Sequence, residues 1–259
     1  MNIEHYFYAL IPMAFAAIIF WLVSLIKKDV SVVDALWSLF FVIACTYFYC
    51  QLDQLSLRAE VLFAMVIIWG LRLAGYITIR HWGQEEDHRY KTIRDNNNPG
   101  FEYKSLYLIF GFQAVVAWII AIPLFYGMGT EAAFGWLELF GIVLWLVGMV
   151  FEVAGDYQLW KFKQDNNNKG KILTAGLWKY TRHPNYFGEF LIWWGYFFLA
   201  ISSGAYWIII SPLLMSFLLL KFSGVMHLEN TLKTRPGYES YMNNTNAFIP
   251  GSPAKRDES

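Results

Sequence analysis

The sequence predicts an all-α membrane protein with seven transmembrane helices, and three observations support this fold class. Of the 259 residues, 57% are hydrophobic and 19% are aromatic, whereas only 15% are charged. These proportions exceed what a water-exposed surface of this size tolerates. Seven apolar stretches approach the ~20 residues that a helix needs to cross the hydrocarbon core. Finally, almost all Lys and Arg residues fall on the loops that would lie on one side of the membrane.

The seven predicted spans follow one another along the whole chain, so we treat 1–259 as a single membrane domain. The first apolar stretch continues past the length of a signal peptide and lacks a basic segment before it, so we expect it to remain as the first span. The last two spans are separated by Ser202, Ser203 and Gly204, which favour a tight turn. The predicted ranges are 6–26, 32–50, 59–79, 106–128, 133–155, 187–203 and 205–226.

The distribution of Lys and Arg predicts the orientation of the chain. Positively charged short loops stay in the cytoplasm. The opposite side of the predicted membrane receives only Arg58. We therefore expect the N-terminus outside and the C-terminus in the cytoplasm. The compact loops and the absence of an organelle signal favour a bacterial inner membrane. The basic residues of the cytoplasmic side are Lys27 and Lys28, five from Arg80 to Lys104, six from Lys161 to Arg182, and five from Lys221 onward.

Charge and cysteine content exclude several classes of function. The formal net charge is zero, which provides no field for binding nucleic acid. Cys45 and Cys50 lie in one apolar run without the spacing of a zinc or iron–sulfur site, so we predict no metal. Neither a glycine-rich dinucleotide fingerprint nor a P-loop occurs, so helices and loops must hold any nucleotide.

A few charged residues fall inside predicted spans, where each is a functional candidate. Asp34 and Arg72 lie at comparable depth on the second and third spans. Two interpretations are open: a buried ion pair that orients the two helices, or a ligand cavity where Asp34 acts as an acid. Glu152 and Asp156 are four residues apart and share a helix face at the cytoplasmic boundary. The alternative to a functional role is that both carboxylates are simply solvated at the end of the helix.

The densest polar segment, 176–189, immediately precedes the sixth span. Pro184 favours a turn followed by a helix start, whose free N–H groups suit an anion. Asn185 and Glu189 would share one face of that helix and bind an amide or a ribose. Ordinary interfacial cations are the alternative, but they do not account for this mixture of cation, imidazole, amide, phenol and carboxylate.

The segment 176–189, with Asp156 and Tyr157 upstream and His227 and 248–250 downstream, resembles the steroid 5α-reductase (3-oxo-5α-steroid 4-dehydrogenase) family, in bacterial homologues of the DUF1295 type. The resemblance implies an enzyme that uses NADPH to reduce the Δ4 double bond of a 3-oxo steroid or a similar apolar enone. Hydride would reach the β-carbon while an acid polarises the carbonyl. Residues 1–130 would then bind the lipophilic substrate, which would enter from the membrane lipid, and residues 131–259 would bind the cofactor. The protein would act as a monomer.

The resemblance also implies site residues. Lys163 and Lys221 stand where the family has arginine, which keeps the charge but loses the planar fork. An alignment on Arg72 places Trp69 at the position of the family's catalytic tyrosine and no glutamate nearby, so we predict Asp34 as the acid, with Tyr76 or Tyr90 in support. The predicted cofactor ligands are Arg72, Arg89, Asp156, Lys163, Tyr180, Arg182, His183, Asn185, Tyr186, Glu189, Lys221, His227 and Glu229.

Two rival interpretations remain open. The run 182–186 and Glu229 also resemble an isoprenylcysteine carboxyl methyltransferase, whose cofactor is S-adenosylmethionine. The seven-span layout and Asp156 with Tyr157 favour the reductase. A non-catalytic lipid-binding or transport protein would carry charges near the bilayer midplane, whereas this chain clusters them at the cytoplasmic boundary.

Overall fold

The computed structural model describes residues 1–222, 225, 229 and 232–253, and the predicted ligand His227 lies outside them. Every regular element in this part of the chain is helical, which confirms the all-α class. The α-helices are α1 Glu4–Tyr8, α2 Leu10–Lys27, α3 Val32–Cys50, α4 Leu57–His81, α5 His88–Asn97, α6 Phe101–Ser105, α7 Phe112–Ile120, α8 Ile122–Gly129, α9 Trp136–Gln164, α10 Pro184–Ala200, α11 Ile210–Phe217 and α12 Tyr238–Asn244. Leu106–Gly111 and Leu218–Phe222 are π-helical, and Asn166–Asn168, Gly176–Lys179, Ile201–Ser203 and Tyr206–Ile209 are 3-10 turns.

Five helical stretches in the described residues are long and apolar enough to cross a membrane, and they agree with the first five predicted spans. The remaining two stretches are shorter: α10 has 17 residues, and a further apolar helix covers Tyr206–Lys221. The turn predicted between them is present, because Gly204 adopts a left-handed φ of 78° after Ile201–Ser203. The count of seven stays a prediction. The five long stretches are Glu4–Lys27, Val32–Cys50, Leu57–His81, Phe101–Gly129 and Trp136–Gln164.

The chain forms two compact units: Met1–Phe134 with Leu199–Ile208, and Gly135–Phe198 with Ile209–Ser259. In the first unit α3 is central and packs on α2, α4, α7 and α8. Helices in lipid gain little from apolar burial against one another, so close backbone approach through small residues matters more. Gly70 provides it on α4, because an added Cβ would lie 2.5 Å from Val42 Cγ2. The Ser38 hydroxyl of α3 donates to the Gly70 carbonyl at 2.9 Å.

In the second unit, glycines hold α9 and α10 in backbone contact. Gly141, Gly148 and Gly155 recur every seventh residue of α9. Gly148 and Gly141 face Gly188 and Gly195 of α10, and Gly155 lies against Pro184 and Asn185. A Cβ on Gly188 would lie 2.5 Å from the Gly148 carbonyl oxygen, and one on Gly195 would lie 2.7 Å from that of Gly141. The two helices are therefore fixed side by side along this contact.

Candidate active site

In the first unit, α5 brings two side chains to Asp34 at the start of α3. The Tyr90 hydroxyl donates to Asp34 Oδ1 at 2.5 Å. Arg89 Nη2 donates to Asp34 Oδ2 at 2.7 Å, in an ion pair. Both carboxylate oxygens of Asp34 therefore accept hydrogen bonds from α5. We refer to Asp34, Asp87, Arg89, Tyr90 and Gln113 as the Asp34 cluster.

The loop before α5 is tied to the turn between α2 and α3. Asp87 caps α5 by accepting the Arg89 N–H at 2.9 Å, and its own N–H donates to Ser31 Oγ at 2.8 Å. Glu86 accepts the Val30 N–H at 2.9 Å. These contacts fix α5, so Tyr90 and Arg89 reach Asp34 without a flexible connection.

Burial and charge decide the protonation of the Asp34 cluster. Burial raises the pKa of the Tyr90 phenol well above its ordinary value, and the negative charge of Asp34 raises it further, so Tyr90 keeps its proton at neutral pH. Burial opposes the charge on Arg89, but Asp34, Tyr90 and Asp87 together outweigh burial and raise the Arg89 pKa. Burial alone would raise the pKa of Asp87, whereas hydrogen bonds from Arg89 lower it overall. The cluster thus holds a neutral phenol beside charged groups.

Gln113 joins this cluster from α7, and sequence reasoning missed it. Its Nε2 lies 3.5 Å from the Tyr90 hydroxyl oxygen, a long contact. Its Oε1 is buried and has no hydrogen-bond partner among the described residues. Gln113 follows the π-helical segment Leu106–Gly111, and such segments are frequent at functional sites. The available signal was an amide side chain within the apolar run 106–128.

The same region gathers three groups that a metal ion would use. One ligand atom each of Asp34, His81 and Asp87 lies within 4.8 Å of the others. The Arg89 guanidinium, however, bonds to both carboxylates, through Nε to Asp87 at 3.0 Å and through Nη2 to Asp34. Arg89 thus supplies the positive charge that a metal ion would supply, and we interpret Asp34 and Asp87 as its ion-pair partners.

The other predicted residues of the first unit lie on α4. Arg72 and Tyr76 are both half-buried. The Tyr76 ring centroid lies 5.5 Å from the Arg80 guanidinium carbon. Of the three predicted catalytic residues, the structure joins Asp34 and Tyr90 directly, and it adds Arg89 as an ion-pair partner of Asp34 that the sequence did not indicate.

In the second unit, Arg182 is buried and uses its side chain within the protein. Nε and Nη2 contact Glu229 Oε1 at 2.8 and 2.7 Å. Nη1 donates to the carbonyl oxygens of Met242, at 3.0 Å, and Thr245. A guanidinium with these contacts supports the protein itself rather than a free phosphate.

His183 completes this anchor and is also buried. Its Nε2 lies 3.3 Å from Glu229 Oε1, and its ring stacks on Tyr186 with centroids 5.5 Å apart. Nδ1 is buried without a hydrogen-bond partner among the described residues. Burial works to raise the pKa of the Glu229 carboxyl, but hydrogen bonds from His183 and Arg182 outweigh it and hold the pKa below its ordinary value.

The turn before α10 also binds the segment 246–251 through the backbone. The Arg182 N–H donates to the Asn246 carbonyl at 2.9 Å, and the Gly251 N–H donates to the Tyr180 carbonyl at 3.0 Å. The Thr181 hydroxyl donates to the Phe248 carbonyl at 2.8 Å. The cluster of Arg182, His183 and Glu229 therefore fixes the C-terminal segment against the start of α10.

The remaining predicted ligands offer groups that suit a nucleotide. Asn185 Nδ2 donates to Asp156 Oδ1 at 3.2 Å across the α9–α10 contact, where Asp156 is only 4% exposed. Tyr186 and Glu189 are half-buried on the first turns of α10. Amide and carboxylate groups suit an amide or ribose, and ammonium groups suit phosphate. The exposed residues of the predicted set in this unit are Lys163, Tyr180 and Lys221.

Several known proteins are similar to this chain in sequence. An uncharacterized protein of Schizosaccharomyces pombe is 28% identical over 216 residues, which is 71% of this chain and 62% of that protein. Mouse 3-oxo-5-alpha-steroid 4-dehydrogenase 1 is 40% identical over 56 residues, 22% of each chain. Steroid 5-alpha-reductase DET2 of Gossypium hirsutum is 30% identical over 100 residues, 38% of this chain and 39% of that protein.

These matches cover less than two thirds of each relative's own length. No solved structure matches the chain. A family profile, by contrast, matches residues 20–245, which is most of the chain. The resemblance to steroid 5α-reductases that the sequence motifs indicated is thereby supported at the level of the family. The chain belongs to the family described as "Protein of unknown function (DUF1295)".

Proposed function

We propose that this protein reduces the Δ4 double bond of a 3-oxo steroid or a similar apolar enone with NADPH. The observation that carries the proposal is the Tyr90 phenol held against Asp34, a neutral donor beside a charged carboxylate. The partial similarity to proteins named steroid 5-alpha-reductases supports it. We further propose seven spans, with the N-terminus outside and the C-terminus in the cytoplasm of a bacterial inner membrane.

The Asp34 cluster would act on the carbonyl of the substrate. Enone and NADPH, with one proton, give the saturated ketone and NADP⁺, and NADPH supplies the hydride. The Tyr90 hydroxyl has one proton, which it donates to Asp34 Oδ1 in this structure. On substrate binding it would release Asp34 and donate instead to the carbonyl oxygen, where negative charge builds up during reduction. Asp34 and Arg89 would orient the phenol. Tyr90 is then the donor to the carbonyl, since both Asp34 oxygens accept hydrogen bonds.

The second unit would hold the cofactor. Asn185 and Glu189 would bind the amide or ribose groups, with Asp156 fixing the Asn185 amide. Lys163 and Lys221 would contact phosphates. The cluster of Arg182, His183 and Glu229 would contribute by fixing the segment that follows, because its polar groups already bond to one another. The chain would act as a monomer on a lipophilic substrate drawn from the membrane.

Ligand-induced thermal stabilisation of the detergent-purified protein tests the cofactor. We expect NADPH to raise Tm saturably and S-adenosylmethionine to leave it unchanged. Asn185→Ala and Glu189→Ala should weaken the NADPH effect, whereas Asn167→Ala, in the exposed turn Asn166–Asn168, should not. Stabilisation by S-adenosylmethionine alone would replace the reductase with a methyltransferase. A lack of response to either ligand would favour a lipid-binding protein.

A further inference from the structure

A cavity of about 460 Å³ with a mixed polar and apolar lining lies in the first unit, apart from the Asp34 cluster. It opens where the candidate span Glu4–Lys27 ends and the candidate span Phe101–Gly129 begins. Ile26 is 83% exposed and Tyr107 is 62% exposed beside it, as expected of side chains that face lipid. The cavity therefore lies at the level where a membrane changes from hydrocarbon to headgroups.

One hydrogen bond between the two spans and one within each span fix the wall of this cavity. The Trp21 indole N–H donates to the Glu102 carbonyl at 2.8 Å, and the Ser105 hydroxyl donates to the same oxygen at 2.8 Å. The Ser24 hydroxyl donates to the Trp21 carbonyl at 2.7 Å. The cavity is thus formed by the fold of the first unit rather than by mobile side chains.

Arg94 closes one side of the cavity and retains a free donor. Its Nε and Nη2 bond to Glu86 at 3.0 and 2.7 Å, and its guanidinium carbon lies 4.6 Å from the centre of the Phe101 ring. These contacts hold the guanidinium plane in place. Nη1 has no hydrogen-bond partner among the described residues, so one fork position remains open to an anion.

Lys28 and Glu102 place opposite charges on the rim. Both are exposed, and in the described part of the chain neither side chain forms an ion pair. Lys28 adopts a left-handed φ of 54°, a conformation that costs about 1 kcal/mol in a residue with a Cβ and that glycine would adopt freely. A lysine at this strained C-cap points to a use for its charge.

We propose that this cavity binds the headgroup of a phospholipid that carries both a phosphate and a primary ammonium, a phosphoethanolamine. Lys28 and the free Arg94 Nη1 would bind the phosphate, and the Glu102 carboxylate would accept hydrogen bonds from the ammonium. A headgroup with only negative charge would leave Glu102 opposed, and a trimethylammonium has no N–H to donate. The site would operate whether or not the protein is a reductase.

The test is lipid retention and thermal stabilisation of the full chain in detergent. Native mass spectrometry would count bound lipid after equal additions of phosphatidylethanolamine, phosphatidylcholine or phosphatidylglycerol. We expect phosphatidylethanolamine to be retained best and to raise Tm most. Lys28→Gly, which also relaxes the left-handed backbone, should weaken retention about fivefold. Glu102→Gln should remove the preference for phosphatidylethanolamine over phosphatidylglycerol.

Lys27→Ala is the charge-matched control, because Lys27 is exposed and lies outside the cavity lining. It should retain phosphatidylethanolamine as the unmodified chain does. Equal retention of the three lipids, or an effect of Lys27→Ala as large as that of Lys28→Gly, would overturn the proposal. Saturable stabilisation by water-soluble glycerophosphoethanolamine, with none by the lipid, would also overturn it and assign the cavity to a soluble ligand.

Discussion

Replacing Tyr90 by phenylalanine removes a single hydroxyl from the Asp34 cluster. That hydroxyl donates to Asp34 Oδ1 at 2.5 Å, and Tyr90 is only 5% exposed. Phenylalanine keeps the ring and its packing, so the change isolates the donor. Arg89 remains bonded to Asp34 Oδ2 and keeps the carboxylate paired. The fold should therefore survive the substitution, whereas the proposed donor to the substrate carbonyl is lost.

The expected magnitudes follow from these contacts. A hydrogen bond to a charged group contributes ~1.5–3 kcal/mol, and because Tyr90 is buried we expect its loss to lower the free energy of unfolding by an amount in this range. Removal of one donor to a developing oxyanion lowers kcat by ~10²–10³-fold. Because the interaction strengthens as charge builds on the oxygen, kcat should fall far more than substrate affinity. A stability loss of this size cannot by itself account for such a fall.

The assay follows NADPH oxidation with a 3-oxo-Δ4 steroid or a simpler apolar enone. Tm is measured in the same detergent. Tyr107→Phe is the matched control, since Tyr107 is 62% exposed and makes no hydrogen bond through its hydroxyl in the described part of the chain. It should leave kcat unchanged. Full kcat in Tyr90→Phe would refute the assignment of Tyr90 as the donor, even if the protein proves to be a reductase.

Three further substitutions test the structure through Tm, and one of them also through kcat. Gly188→Ala should lower the free energy of unfolding by ~1–3 kcal/mol, because its Cβ would lie 2.5 Å from backbone atoms of α9. In the control Gly75→Ala the added Cβ meets nothing within 4 Å, so this variant should not be destabilised. Equal Tm values for the two variants would contradict the close α9–α10 contact. Gln113→Leu removes a buried Oε1 that has no hydrogen-bond partner among the described residues, and it should therefore raise Tm. The lost contact with Tyr90 should lower kcat about tenfold. A lower Tm would show that Oε1 is hydrogen-bonded. The pKa of Glu229 in the folded protein lies below its ordinary 4.5, so the carboxylate stabilises the protein above that pH, and this contribution is lost as pH falls through the folded pKa. Between pH 6 and pH 3, Tm should therefore drop less steeply in Glu229→Gln than in the unmodified chain. Parallel curves of Tm against pH would contradict the depressed pKa.

Much of the fold could be predicted because membrane insertion depends on local quantities. Length and apolar content are properties of a continuous stretch, so the first five spans agree with the helices of the structure. Gly204 marked the turn after α10 because a left-handed residue is a local requirement. The polar segment 176–189 was evident for the same reason. The seven-residue spacing of glycines on α9 led to no prediction, because its meaning depends on a facing helix.

The partners of the site residues could not be predicted, because they depend on how separate helices dock. Asp34 meets Tyr90 across 56 residues and Arg89 across 55, through the docking of α5, which no periodicity encodes. Arg182, a predicted cofactor ligand, meets Glu229 across 47 residues, and this pair helps to anchor the C-terminal segment. The sequence by itself determined which residues belong in lipid and which polar groups approach it, since each stretch partitions by its own composition. Only the tertiary structure decided which polar groups neutralise one another and which remain available to a ligand, since a hydrogen bond requires contact within about 3 Å.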